Sequence, residues 1–346
     1  MRQRLFLEHE SWRTEPWALD PAAKSGHHHL LDIFVLIPGL LEDHTLLERA
    51  HQGPSAAGSS NPIPAMLDLN LGPRLPAKRS SSQSDDDPAT LHEALRSRIT
   101  TQLEALYIWR WQWQAANGNG VSASVPDPPD TNIEADTAAS PRPSGAPTRV
   151  SFVHFEAAAE ISFYNAVLTW LLALVWKLEP VRGAEIIAHC AENAMLHATG
   201  TLEDNSAERD QRPISPAIPF DPLQKPGASH GVRDLAMEIC QVFEWQSKHQ
   251  TSSDNKGLRP LYLFPVGMAM SVFEDDPEGQ AWAQSLLQRN QVTSGYGAAY
   301  GGAKAGAPQS TGFGFYVTKQ ALNPTSDIAI KNYEKDLARY TDVGTE

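Results

Sequence analysis

The chain has 346 residues, 41% of them hydrophobic, and a formal net charge of −13. That charge repels a phosphate backbone, and with no lysine- or arginine-rich run it argues against direct contact with DNA or RNA. Two cysteines, Cys190 and Cys240, cannot form a disulfide framework or a Cys-x-x-Cys metal pair, and they fit a reducing compartment.

The opening MRQRLFLEHESW becomes charged too soon to hold the apolar core of a secretory signal, so residues 1–26 are read as an N-terminal extension. The first apolar block is 27–52. Leu30, Leu31, Phe34 and Val35 recur at helical spacing there, and Pro38 stops or kinks the helix before LLEDHTLLERA resumes it. His27, His28 and His29 with His44 invite a metal reading. Consecutive helical residues point in different directions, however, so a solvated helix start is expected instead.

Residues 53–88 are rich in Gly, Pro and Ser and end in SSSQSDDD; they bury too little apolar surface to offset their ordering entropy, which predicts disorder. Two short motifs fall in this insert. MLDLNL (66–71) has the alternation of a strand-adding docking segment, and Ser80–Asp87 has the pattern of an acid-directed phosphorylation site. Both patterns arise easily by chance.

A clean amphipathic helix is predicted over 89–114, its stripe made of Leu91, Leu95, Ile99, Leu103 and Leu106. At its end Trp109, Trp111 and Trp113 interleave with Arg110. Such interleaving can stack nucleic-acid bases, but helical geometry scatters the three rings, and packing at the helix end is the expectation. Residues 115–148 then read as a second linker. No strand-type alternation of useful length appears anywhere in the chain.

Residues 150–199 predict two helices divided near Glu179-Pro180, because proline suits a first turn but not an interior. The run Ile161–Trp176 is 16 residues and almost uninterrupted, short of the about 20 needed to cross a bilayer. A buried central helix is therefore expected, with a membrane-associated protein as an alternative. His189, Cys190 and His197 sit too far apart on a helix to share a metal, and they predict a packed thiol beside surface imidazoles.

A proline-spaced loop is expected over 200–228, followed by helices near 230–249, 261–273 and 277–290. Gly227-Ala228-Ser229-His230-Gly231 matches the G-x-S-x-G nucleophile elbow, which needs a buried strand ahead of the serine. FDPLQKPG precedes it here, so Ser229 is read as a helix N-cap. A serine hydrolase using Ser229 with His230 or His249 remains the alternative. The Gly/Ala-rich tail, 292–346, predicts little structure beyond a weak helix near 327–340.

Three stretches together point to one family. LLDIFVLIPGLLED (30–43), AEISFYNAVLTWLLALVWKLEP (159–180), and DLAMEICQVFEWQ (234–246) with the following RPLYLFPVGMAMSVFED and EGQAWAQSLLQ resemble, in order, the C-terminal regulatory region of fungal Zn2Cys6 (binuclear zinc cluster) transcription factors. The resemblance covers about half the chain. It implies an all-helical regulatory region that receives small-molecule signals or binds other regulators.

The six-cysteine zinc cluster and the basic linker of that family are missing. The resemblance then leaves two expectations open: an upstream exon outside this sequence, or a truncated relative. Either way the expected mode is non-catalytic, with no cofactor and no metal. It is expected to act through protein partners, a related full-length factor among them, in the nucleus or alternatively the cytoplasm. The fold expected is all-α, a helical bundle over 27–291 interrupted by long disordered loops at 53–88, 115–148 and 200–228.

Overall fold

A computed structural model describes residues 6–52, 87–124, 149–198, 222–228, 231–249 and 263–289. These are the helices α1 (Glu10–Thr14), α2 (Gly26–Phe34), α3 (Ile37–Gln52), α4 (Pro88–Asn117), α5 (Phe155–Leu178), α6 (Gly183–Ala198), α7 (Val232–His249), α8 (Leu263–Val272) and α9 (Pro277–Arg289). One antiparallel pair of four-residue strands, β1 (Val121–Ser124) and β2 (Arg149–Phe152), accompanies them. The all-α class follows directly from the long leucine stripes.

The bundle is organised around α5. From Ala157 to Val175 every residue of α5 except Glu160 is buried, and a helix apolar all round belongs in the middle of a protein. α4 and α7 flank it, α8 crosses α5 and α7, and α2 and α3 lie against both α4 and α5. α6 packs chiefly along α4, and α9 closes over α7 and α8. By length and composition α5 is also able to cross a membrane, but 94% of its most apolar window is buried by protein. Lipid would have to replace partners that already surround it.

Local chemistry sets the helix ends. Asp87 caps α4 through Ala89 N, with Pro88 at the first helical position. Ser25 and His28 form a reciprocal capping box at α2. Asp276 plays the same part for α9, its Oδ1 accepting from Gly279 N at 3.0 Å beside Pro277. Pro38 lies in the first turn of α3, after a break at Val35-Leu36, as its fixed φ requires. α5 ends at Leu178 just before Glu179-Pro180. α6 then starts at Gly183, where a Cβ would stand 2.6 Å from the Trp176 ring.

Three boundaries differ from the sequence expectation. The 53–88 insert loses its last two residues to the α4 cap. The 115–148 linker begins in structure, since α4 runs to Asn117 and β1 follows it. β1 pairs through Val121 with Phe152 of β2, in the block expected to hold helices alone. Val121, Val150 and Phe152 are buried, and Phe152 meets the Trp245 ring edge-on at 5.3 Å. The pairing is therefore held by side-chain burial that four-residue segments do not announce.

Third, the 200–228 loop ends in an ordered segment. Leu223 is buried, and the turn that follows places Gly227 at φ +72. A side chain at Gly227 would meet both a left-handed backbone and the Ala191 Cβ at 2.5 Å. The docking motif 66–71, the serine-acid motif up to Asp86, Ser229, His230 and the tail all lie outside the described residues.

Candidate functional site

Four aromatic rings join the three stretches that carry the family resemblance. Phe34 of α2 meets Phe163 edge-on at 4.9 Å and lies nearly parallel to Trp170 at 6.1 Å, both on α5. Phe264 of α8 completes the group, at 5.4 Å from Phe34, 5.6 Å from Phe163 and 5.1 Å from Trp170. The rings mix edge, tilted and offset contacts, the arrangements aromatic quadrupoles favour. Phe163 and Trp170 are buried, whereas Phe34 and Phe264 are half-buried at the rim.

A polar seam runs beside this apolar centre. Asn165 Nδ2 donates to Glu238 Oε1 at 2.7 Å, and Gln224 N donates to Glu238 Oε2 at 2.6 Å. Thr169 Oγ1 donates to the Asn165 carbonyl at 2.8 Å. Glu238 is only 5% exposed. A carboxylate that deep is held by donors, and these tie α5, α7 and the 222–228 segment to one another.

The tryptophan run is spread as helical geometry demands. Trp109 Nε1 donates to the Gly26 carbonyl at 2.6 Å, and its ring stacks on Tyr164 at 5.6 Å. Trp113 Nε1 donates to Glu160 Oε2 at 2.9 Å. Burial raises the Glu160 pKa, against the bond from Trp113. Arg110 is fully buried, its guanidinium 5.1 Å above the Trp113 ring. The sequence shows it as a lone basic residue among aromatics; in the fold it is a core residue and offers no charge to a nucleic-acid backbone.

The histidines do not converge. The His28 ring caps α2 and packs 4.4 Å from Trp17. Burial, then the nearby His28, lowers the His27 pKa. His44 departs from the expected solvated setting: it is buried and faces Glu48 at 3.6 Å. His189 and His197 are exposed on α6. Among the described residues no group of three or more His, Cys, Asp or Glu is placed to hold a metal ion.

His249 stacks on Trp245 at 4.4 Å and keeps its Nδ1 2.8 Å from the Trp245 carbonyl. A carbonyl only accepts, so Nδ1 carries the proton. The segment leading towards Ser229 is a turn, not the strand that a nucleophile elbow uses.

Both thiols are buried. Cys190 Sγ lies 3.8 Å from the Thr100 carbonyl, and burial, reinforced by Glu104, pushes its pKa up to about 11. Burial and Glu244 push Cys240 higher still. The reactive thiolate is then about a thousandth of Cys190 at pH 8. We expect iodoacetamide to leave both cysteines unmodified in the native protein at that pH and to alkylate both in urea, read by intact mass. Labelling of native Cys190 at the urea rate would contradict its packing against α4. The unfolded thiols ionise near pH 8.5 and the native ones do not, so this contribution to stability is complete below that pH and is lost as pH climbs towards 11.

Neither a family model, nor a curated protein, nor a solved structure matches this chain.

Proposed function

We propose that the chain is a non-catalytic regulator of the fungal zinc-cluster type that acts in the nucleus through protein contacts and does not itself read DNA. The observation that carries the reading is convergence. Segments 30–43, 159–180 and 234–289 are far apart in sequence, and they meet at Phe34, Phe163, Trp170 and Phe264. The stretches that carry the resemblance are thus packed as one unit, as a shared regulatory core requires. The net charge of −13 agrees with a partner other than nucleic acid.

The test is an epitope-tagged full chain expressed in its own cells, followed by microscopy and mass spectrometry of what co-purifies. Nuclear signal with a full-length zinc-cluster factor in the purified complex is the expected result. A cytosolic chain that retains no such factor would end this reading. Labelling of Ser229 by a fluorophosphonate probe would replace it with the hydrolase alternative.

A further inference from the structure

The N-terminal segment is attached differently from everything after it. None of residues 7–29 is buried, and neither α1 nor the two single-turn 3-10 helices that follow it, Glu15–Trp17 and Pro21–Ala23, contains a buried residue. Trp12 is 55% exposed and Leu19 fully exposed. Apolar burial, the main source of stability for a docked segment, therefore contributes little here.

Charged contacts mark both ends of the segment. At one end Arg98 of α4 donates from Nη2 to Glu8 Oε1 at 2.9 Å, while its Nη1 binds Asp43 of α3. The Glu8 carboxylate rests directly on Gly39, where a Cβ would come within 2.5 Å of it. At the other end Lys24 Nζ pairs with Asp32 at 2.5 Å and donates to the Arg13 carbonyl at 2.9 Å. Between them lies the Trp17 contact with His28. The helical body begins at Gly26, whose carbonyl is held by the buried Trp109.

Both halves of the first clasp's seat, Arg98 and Gly39, belong to the helical body. Asp43, on the body, engages the other arm of the Arg98 fork, and Gly39 leaves room for the Glu8 carboxylate. The paired side chains are partly shielded, from 13% exposed at Glu8 to 35% at Arg98. Salt therefore weakens these pairs less steeply than exposed ones as it shortens the screening length. With no apolar burial beside them, they are what holds the segment. A segment held this way opens at the low end of a protein's local stabilities.

We propose that residues 7–25 are a detachable strap, clasped by Glu8 on Arg98 and by Lys24 on Asp32. Rising ionic strength releases it from an intact helical body, and release presents Trp12, Trp17 and Leu19 as one linear segment. The device stands apart from the regulatory reading above and would hold if that reading failed.

The test is limited trypsin digestion of the full chain with mass-spectrometric detection of the cut after Arg13. Each rate is divided by that of a free peptide of residues 6–25, which removes the effect of salt on the protease. Salt is raised from about 0.01 M to about 1 M, which shortens the screening length from about 30 Å to about 3 Å. The normalised cut should quicken about tenfold while the far-ultraviolet helical signal stays constant. Glu8→Gln, which leaves the Lys24–Asp32 clasp in place, should bring the low-salt rate part of the way to the high-salt one.

A normalised rate unmoved by salt and by Glu8→Gln would overturn the proposal. So would a rate already equal to the free peptide at low salt. Loss of helical signal in step with cleavage would overturn it too, because the strap would then be part of the body's own cooperative unit.

Discussion

Trp170→Ala should remove about 3–5 kcal/mol from the stability of the helical body, the range for deleting a large ring from a packed core. Trp170 is 4% exposed and touches both Phe34 and Phe264. With Phe163, it is one of the two α5 rings through which α2 and α8 are both held to α5. Domains of this size are stable by about 5–15 kcal/mol, so the loss would take a large share. The measurement is urea unfolding followed by far-ultraviolet circular dichroism. The midpoint should fall with the slope preserved, because the same surface is exposed in both proteins. Trp12→Ala is the control: that ring is 55% exposed, and its loss should change stability by about 0.5 kcal/mol or less. Equal midpoints for Trp170→Ala and Trp12→Ala would show that the four rings are not the keystone described here.

Glu238→Ala carries the second large effect, and its cause is polar. The carboxylate accepts from Asn165 Nδ2 and Gln224 N inside the protein, and both donors would lose their acceptor. A buried donor so stranded costs about 1–3 kcal/mol, less at the half-buried Gln224, and together they predict a loss of about 2–5 kcal/mol. Glu238→Gln keeps one acceptor oxygen and should cost less. A double-mutant cycle with Asn165→Ala separates the shared bond from the rest, with an expected coupling of about 0.5–3 kcal/mol. Additive losses from Asn165→Ala and Glu238→Ala would mean that the 2.7 Å contact contributes nothing of its own.

The parts of this fold that the sequence reveals are those decided within a few turns of chain. α4 is announced by Leu91, Leu95, Ile99, Leu103 and Leu106. The α5–α6 break is announced by Glu179-Pro180, and α9 by the spacing of Trp282, Leu286 and Leu287. The parts it conceals are decided by groups distant in sequence. VSAS and RVSF become strands only because Val121 finds Phe152 across residues 125–148 and Phe152 finds Trp245. The Asn-Gly steps at 117–120 mark a turn ahead of β1 but do not point to its partner, and neither strand is long enough to show alternation.

The same holds for the candidate sites. That Trp109, Trp111 and Trp113 diverge is readable from helical geometry, but the carbonyl of Gly26 and the carboxylate of Glu160 are not readable as their partners. Glu238 looks like any surface acid on an amphipathic helix until the 222–228 segment brings Gln224 N to it. Glu8 and Arg98 are 90 positions apart, and no local rule joins them. Charge composition suggests a solvated extension there and misses the clasp.

The cross-strand pairing of Ser124 with Arg149 has a practical meaning. Chain enters and leaves at that point with its two ends about 5 Å apart, a spacing fixed by the ladder itself. What is spliced between those ends is thermodynamically almost free, since doubling a flexible loop costs only about 0.6 kcal/mol. A flexible reporter domain spliced between those two ends meets a gap that the ladder has already closed, so the strand pair is a doorway an engineer can use.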